Sequence, residues 1–348
     1  MRTGDSLRKL LSAEYAEISP SGLASSLADL KSGAPQIPEW RISDHVAAVS
    51  RLYALYENFV DELLSSWINL RASGQAFGQL PDEWRKQYQA GFSLILPLAG
   101  QGRYEHLSHD GMVVEQAKAI AGETGYRTFP ECMLHRTANL RMDVLTTLAA
   151  RCQITALEDW FAKSTTISTY LGAKTEAVNR LTKKLKRFVE YRNDASHSSV
   201  IVDEILGLEE IIDLADLIEA LCSAIRDKVN HVAVEYLVER GEAREIGFVT
   251  KTYSNNVYII TIEGAALTVG ERILIKSPRA CSFRTIVNLQ LEGVDSPAIT
   301  VAMPAEIGIQ LDAEAHLSDK LIVLVPHQDT PQSVDEQASV AVSGADPI

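Results

Sequence analysis

An arginine and a histidine five positions apart close the segment Tyr191-Arg192-Asn193-Asp194-Ala195-Ser196-His197. Arginine keeps its charge throughout the physiological pH range and presents a planar fork that matches phosphate oxygens. Histidine is the side chain that gives and takes a proton near neutrality without help. Together they supply what phosphodiester chemistry needs, a fixed cation and a proton carrier, and RNA is the natural substrate. The same spacing recurs at Arg226 and His231, so spacing alone does not choose between the two pairs. Their surroundings do. From Lys174 to Arg192 there are seven Lys/Arg against two acids, in a chain whose formal net charge is −13. The stretch ahead of Arg226 instead carries Glu209, Glu210, Asp213, Asp216 and Glu219, which repel a polyanion. Arg192 and His197 are therefore the candidate catalytic pair.

The elements that must position this pair are helical. Val178, Leu181, Leu185, Phe188 and Val189 form one apolar stripe leading into the motif. Lys183, Lys184 and Arg187 lie off that stripe, where they serve either as a solvated helix face or as phosphate contacts. Asn193 reads as a phosphate ligand or as a cap of the helix end. In an unbroken helix five residues turn by about 500°, which leaves Arg192 and His197 roughly 140° apart. They share a site if the helix ends between them, or if two protomers meet in one cleft. Asp194-Ala195-Ser196, followed by Ser198-Ser199, supplies side chains that compete for backbone hydrogen bonds and so favours a helix end there. Further stripes run through Leu52, Leu55, Tyr56, Phe59, Leu63 and Leu64, and through Ile211, Leu214, Ile218, Leu221, Ile225, Val229 and Val232. Glu57, beside the first of these, is a surface carboxylate or a group that orients Arg192 or His197.

Other chemistries find less support. His106 and His109, with Glu105 and Asp110, make a compact H-x-x-H cluster, but Gly102 and Gly111 bracket it closely and no metal site is expected. The four cysteines, Cys132, Cys152, Cys222 and Cys281, are scattered without a C-x-x-C pair, which argues against a zinc site or a disulfide framework and fits a reducing cytoplasm. No G-x-S-x-G supports a serine hydrolase. Trp40, Trp67, Trp84 and Trp160 read as core or interface residues. Met1–Leu11 has no apolar core of a secretory signal, and the longest apolar run, near Phe92–Ala99, is too short to span a bilayer.

At 348 residues the chain has room for two cores. Helical periodicity dominates up to about Glu242, with residues 71–135 read as an insertion bearing one or two helices and shorter helices at Arg141–Arg151 and Leu157–Phe161. Beyond it come seven β-rich runs: Ile246–Tyr253, Val257–Ile262, Arg272–Ile275, Phe283–Leu291, Ile299–Met303, Ile307–Leu311 and Leu321–Val325. Turn residues such as Asn255-Asn256 and Gly270 separate several of them, a spacing that suits a small barrel. The expected class is multi-domain α + β, an N-terminal all-α bundle followed by a small C-terminal all-β barrel. The expected division is a helical extension at 1–39, a helical domain at 40–241, the barrel at 243–326 and a disordered tail at 327–348.

Arg192-Asn193 followed by His197, after an amphipathic basic helix, resembles the signature of HEPN-superfamily ribonucleases, in which a polar residue commonly follows the motif arginine. The segment Arg51–Val60 is similar to the first long helix of some HEPN groups, where an aromatic-rich face carries a Glu, here Glu57. The resemblance implies a metal-independent endoribonuclease that acts as a homodimer, with no cofactor. Its products would be a 2′,3′-cyclic phosphate and a 5′-OH, and such enzymes often serve as toxins or in antiviral defence, restrained by an antitoxin or other regulatory protein. The alternative is a catalytically silent module that binds RNA or a protein. Gly247-Phe248-Val249-Thr250, Leu267 to Ile273 and Ile307 to Leu311 are similar to the β-barrel that forms the second domain of translational GTPases such as elongation factor Tu. No G-x-x-x-x-G-K-[ST] accompanies it, so no nucleotide site is implied. The expected partners are RNA and a second copy of the chain, with no membrane.

Overall fold

The computed structural model describes residues 42–172, 176–196 and 207–325. The extension expected at 1–39, the tail expected at 327–348, Trp40 and His197 lie outside the described residues. The protein is multi-domain, a mostly helical region followed by a closed β-barrel. The helices are α1 (Ile42–Ala72), α2 (Asp82–Ile95), α3 (His109–Ile120), α4 (Glu131–Leu134), α5 (Met142–Arg151), α6 (Leu157–Lys163), α7 (Thr165–Leu171), α8 (Ala177–Ser196) and α9 (Leu208–Glu239).

Each long helix follows its apolar stripe. On α1, Leu52, Tyr53, Tyr56, Phe59, Val60 and Leu63 are all buried. On α8, Leu181, Leu185, Phe188 and Val189 face inward, and this helix packs on α1. The last helix, α9, is buried on nearly every side, at Leu217, Leu221, Ala224, Val229, Ala233 and Leu237. Its surroundings explain why: α1, α6 and α7 contact it, and so does the barrel. Its exposed positions are mostly charged, at Glu209, Glu210, Asp213, Asp216, Glu235 and Glu239.

Residues 71–135 are built into the same core rather than appended to it. Trp84 and Tyr88 of α2 stack with centroids 5.3 Å apart, and Phe77 meets both rings edge-on. Gly91 lets α2 lie directly on α4, since a Cβ there would stand 1.6 Å from the Cys132 carbonyl oxygen. Trp67, Trp84 and Trp160 are buried, in keeping with a core role, and all four cysteines are buried and free.

The barrel comprises β1 (Ala243–Thr252), β2 (Val257–Ile262), β3 (Ala265–Thr268), β4 (Arg272–Lys276), β5 (Cys281–Leu291), β6 (Val294–Asp295), β7 (Ala298–Val301), β8 (Ala305–Leu311) and β9 (Lys320–Leu324). Six strands close a ring in the order β4-β9-β1-β2-β8-β5, with β5 pairing back to β4. Alternation fills the interior, as on β2, where Tyr258, Ile260 and Ile262 point in. Asn255 and Asn256 both adopt positive φ, 60° and 56°, the geometry of a tight hairpin turn between β1 and β2. The two strands beyond the seven expected are β3, which pairs with β7 outside the ring, and the two-residue β6. β6 is too short to show a period of two, and β3 is a four-residue strand in which Ala265 and Leu267 are buried.

The barrel does not hang from a free tether. Ala243, Leu274, Cys281 and Ile322 belong to the same buried cluster as the helices. Asn230 donates to the Cys281 carbonyl oxygen at 3.2 Å and Lys276 to Glu235 at 2.8 Å. At the junction of α9 and β1 the Arg240 side chain is clamped. Arg240 donates to the Ser73 carbonyl oxygen at 2.9 Å and the Tyr236 hydroxyl at 2.7 Å, and pairs with Glu242 at 2.6 Å.

Candidate active site

Arg192 lies near the end of α8, above the aromatic face of α1. Its guanidinium carbon is 4.7 Å from the centroid of the Tyr53 ring, a cation–π contact. Its Nη1 donates to Asn193 Oδ1 at 3.3 Å, and the same oxygen accepts from Asn139 Nδ2 at 2.9 Å. Tyr53 is fixed in turn. Its hydroxyl accepts the Leu140 amide at 2.8 Å and donates to Glu57 Oε1 at 3.0 Å, while its ring leans on Phe188 at 6.0 Å. Burial raises the Tyr53 pKa, so its hydroxyl stays neutral and acts as a strut.

The chain of contacts continues along α1. Arg136 donates to Glu57 Oε1 at 3.3 Å and to both carboxylate oxygens of Asp61, at 2.5 and 3.1 Å. Only 5% of the Arg136 side chain is exposed. Burial pulls its pKa down, but the hydrogen bonds and charges of Asp61 and Glu57 outweigh that and hold it up. Arg103 closes the series with a 3.1 Å contact to Asp61. Tyr53, Glu57 and Asp61 occupy i, i+4 and i+8 positions, one face of the helix.

Arg192, Asn193 and Glu57 are thus brought together, with Glu57 reaching Arg192 through Tyr53 rather than directly. His197 lies outside the described residues. The helix does not break at Asp194-Ala195-Ser196; those residues are its last turn. Lys183 and Arg187 are exposed. Lys184 is not a loose cation. It pairs with Asp213 at 2.6 Å and donates to the Tyr170 hydroxyl at 2.8 Å. Partial burial lowers its pKa, but these contacts prevail and raise it. Sequence reasoning missed Arg136, Asn139 and Asp61. The i, i+4, i+8 spacing of Tyr53, Glu57 and Asp61 was a readable signal; Arg136, 79 positions from Glu57, gave none.

The second Arg/His pair sits at the joint with the barrel. His231 meets Trp160 edge-on at 5.2 Å, and its pKa is pushed down to about 4 by burial and by Lys276, partly opposed by Glu235. Arg226 pairs with Asp227 at 3.5 Å, and burial pushes the Asp227 carboxyl up to about 6. The H-x-x-H histidines engage separate carboxylates, His106 with Glu131 at 2.8 Å and His109 with Asp110 at 3.2 Å. Among the described residues, no three His, Cys, Asp or Glu side chains group as a metal site requires. Also among the described residues, no helix is long and apolar enough to cross a membrane.

A helical region with a cation held over its first long helix, joined to a barrel, defines the class. A family model described as HEPN_MAE_28990:/-like HEPN matches residues 39–237. The chain belongs to this HEPN family. The match ends before the barrel begins. No curated protein and no solved structure matches the chain. HEPN domains generally bind RNA, and membership supports a general ribonuclease- or toxin-like role.

Proposed function

We propose that the protein is a metal-independent endoribonuclease. The observation that carries this reading is Arg192. In a HEPN-family chain it is held over Tyr53 by a polar scaffold, at the end of a helix that exposes Lys183 and Arg187. In the proposed reaction the 2′-oxygen of the RNA attacks the adjacent phosphorus. The O2′–P bond forms as the P–O5′ bond breaks, His197 takes the 2′-OH proton, and a proton passes to the departing 5′-oxygen. The products are a 2′,3′-cyclic phosphate and a 5′-OH. Arg192 stabilises charge on the equatorial oxygens. DNA lacks the nucleophile and is not cut.

Asn193 orients the Arg192 fork through its shared oxygen, and Glu57 is a positioning residue acting through Tyr53. Lys183 and Arg187 attract flanking phosphates, and Lys184 joins them by leaving Asp213. Because α8 is unbroken from Arg192 to Ser196, we assign the working form to a homodimer in which two copies of the motif share one cleft. A toxin or antiviral effector controlled by an antitoxin or regulatory protein fits this chemistry. The barrel guides the enzyme to its target, which includes translation-related RNA. From Glu242 onward there are seven Lys/Arg against fourteen Asp/Glu, so the barrel does not grip RNA by charge.

Incubating the purified protein with total RNA in EDTA tests the reading. Cleavage is expected in wild type and absent in His197→Ala. Intact RNA after prolonged incubation with dimeric protein points instead to a silent binding module.

A further inference from the structure

A second polar cluster lies at the far end of the Glu57–Arg136–Asp61 chain. A cavity of about 190 Å³ opens between α1, the turn at Gly102–Tyr104 and α4. Three of its side chains are each held by another lining residue. Asp61 holds Arg103 at 3.1 Å, Glu131 holds His106 at 2.8 Å, and the Tyr104 hydroxyl meets His135 Nδ1 at 3.1 Å. The second carboxylate oxygen of Glu131 is buried and has no hydrogen-bond partner among the described residues. The other oxygen, Oε1, meets His106 and has a lone pair left for a further donor.

The donor set constrains the ligand. A phosphate would face two carboxylates, Asp61 and Glu131, and a simple cation would face Arg103. A neutral group with donors on one edge and acceptors on the next satisfies both. Among nucleobases guanine has this pattern. Its O6 and N7 accept from an arginine fork, and its N1 and N2 carry hydrogens for a carboxylate. Adenine would set its N6 hydrogens against the guanidinium. We propose that this cavity binds a guanine base and fixes where an RNA strand lies across Arg192. Tyr53, beneath Arg192, and Asp61, at the cavity, are two turns apart on α1, about 12 Å along its axis. A short stretch of single strand spans that distance. The role in RNA rests on the ribonuclease reading; the binding of guanine does not.

The test separates the two. Saturation-transfer NMR on the intact chain, with guanosine and adenosine as probes, should show guanosine bound and adenosine at least about tenfold weaker. Arg103→Ala, at an exposed position, and Glu131→Gln should each weaken guanosine by a similar factor, with circular dichroism unchanged. Arg192→Ala should bind guanosine like wild type. Mapped cleavage sites should carry guanine at one fixed position, a bias lost in Arg103→Ala. Equal binding of both nucleosides, no guanosine binding, full binding by a folded Arg103→Ala protein, or loss of binding in Arg192→Ala overturns the proposal. Guanosine binding without RNA cleavage sinks the nuclease reading and leaves the cavity standing; cleavage without guanosine binding does the reverse.

Discussion

At the scale of single residues, the proposed chemistry depends on how Arg192 is held. Tyr53→Phe keeps the ring beneath the guanidinium but strands the Leu140 amide, while Glu57 Oε1 keeps its contact with Arg136. A loss of about 1–3 kcal/mol in stability is expected from the unsatisfied amide. Activity should fall less than in Arg192→Ala, where cleavage disappears while stability drops by about 1 kcal/mol. Calorimetry alongside a cleavage assay checks both, and equal activity in wild type and Arg192→Ala would remove Arg192 from the mechanism. Arg226→Ala should cut RNA normally. The joint makes its own pH prediction. Asp227 titrates near 6 when folded against 3.8 unfolded, so the native state binds more protons in that window and stability falls as pH rises through it. His231, near 4 folded against 6.5 unfolded, works in the opposite sense and costs stability as pH falls through its window. The two slopes oppose each other. Thermal denaturation of Asp227→Asn should therefore show a steeper loss toward acid than wild type, and His231→Gln a loss from pH 4 toward 6. Parallel curves for all three proteins contradict this. Of the candidate site, the placement of Arg192, Asn193 and Glu57 on helices was legible, because each stands beside an apolar stripe with a clear period. Arg136 was not, since its partners are remote in sequence and no local rule places them.

At the scale of elements, the network between α1 and the loop carrying Arg136 anchors the floor of the site. Arg136→Ala removes the buried cation between Glu57 and Asp61 and leaves Asp61 only the exposed Arg103. Breaking a buried pair in this way costs about 3–5 kcal/mol, toward the lower figure here because both carboxylates remain about a quarter exposed. A large drop in melting temperature is expected, and a change of a degree or less would show that the network carries little. Gly91→Ala should be severe for another reason: the new methyl meets a backbone carbonyl that cannot swing away. The long helices were readable from their stripes, and seven of the strands from β-rich runs punctuated by turn residues. The segment 71–135 was harder. Its apolar residues are spread over short helices and 3-10 turns, too brief for a period to emerge, and only their mutual packing makes them core. The cluster Ser164–Phe161–Trp160 shows the same limit, where a seven-residue helix ends and another begins at once.

At the scale of the whole molecule, a shared core joins the barrel to the helices, so the barrel is a fixed neighbour of α9 and not a loosely tethered reader. Truncating the chain before β1 uncovers the face of that helix that carries Asp227, Asn230 and Glu235, and we expect the fragment to be less stable than the intact chain. The junction of helices and strands was legible from the change of period near Glu242; that the two share a core was not, because the contacts pair residues far apart in sequence, such as Asn230 with Cys281. A homodimer is expected by sedimentation at micromolar concentration, and a fully active monomer would contradict the shared cleft. The central claim concerns chemistry, and the ends of cleaved RNA report it most directly. A defined oligonucleotide should be cut in EDTA to leave a 2′,3′-cyclic phosphate and a 5′-OH, and the same oligonucleotide bearing a single 2′-deoxy sugar at the cleaved position should resist. Ends bearing a 3′-OH and a 5′-phosphate, or undiminished cutting at the deoxy position, would contradict the account.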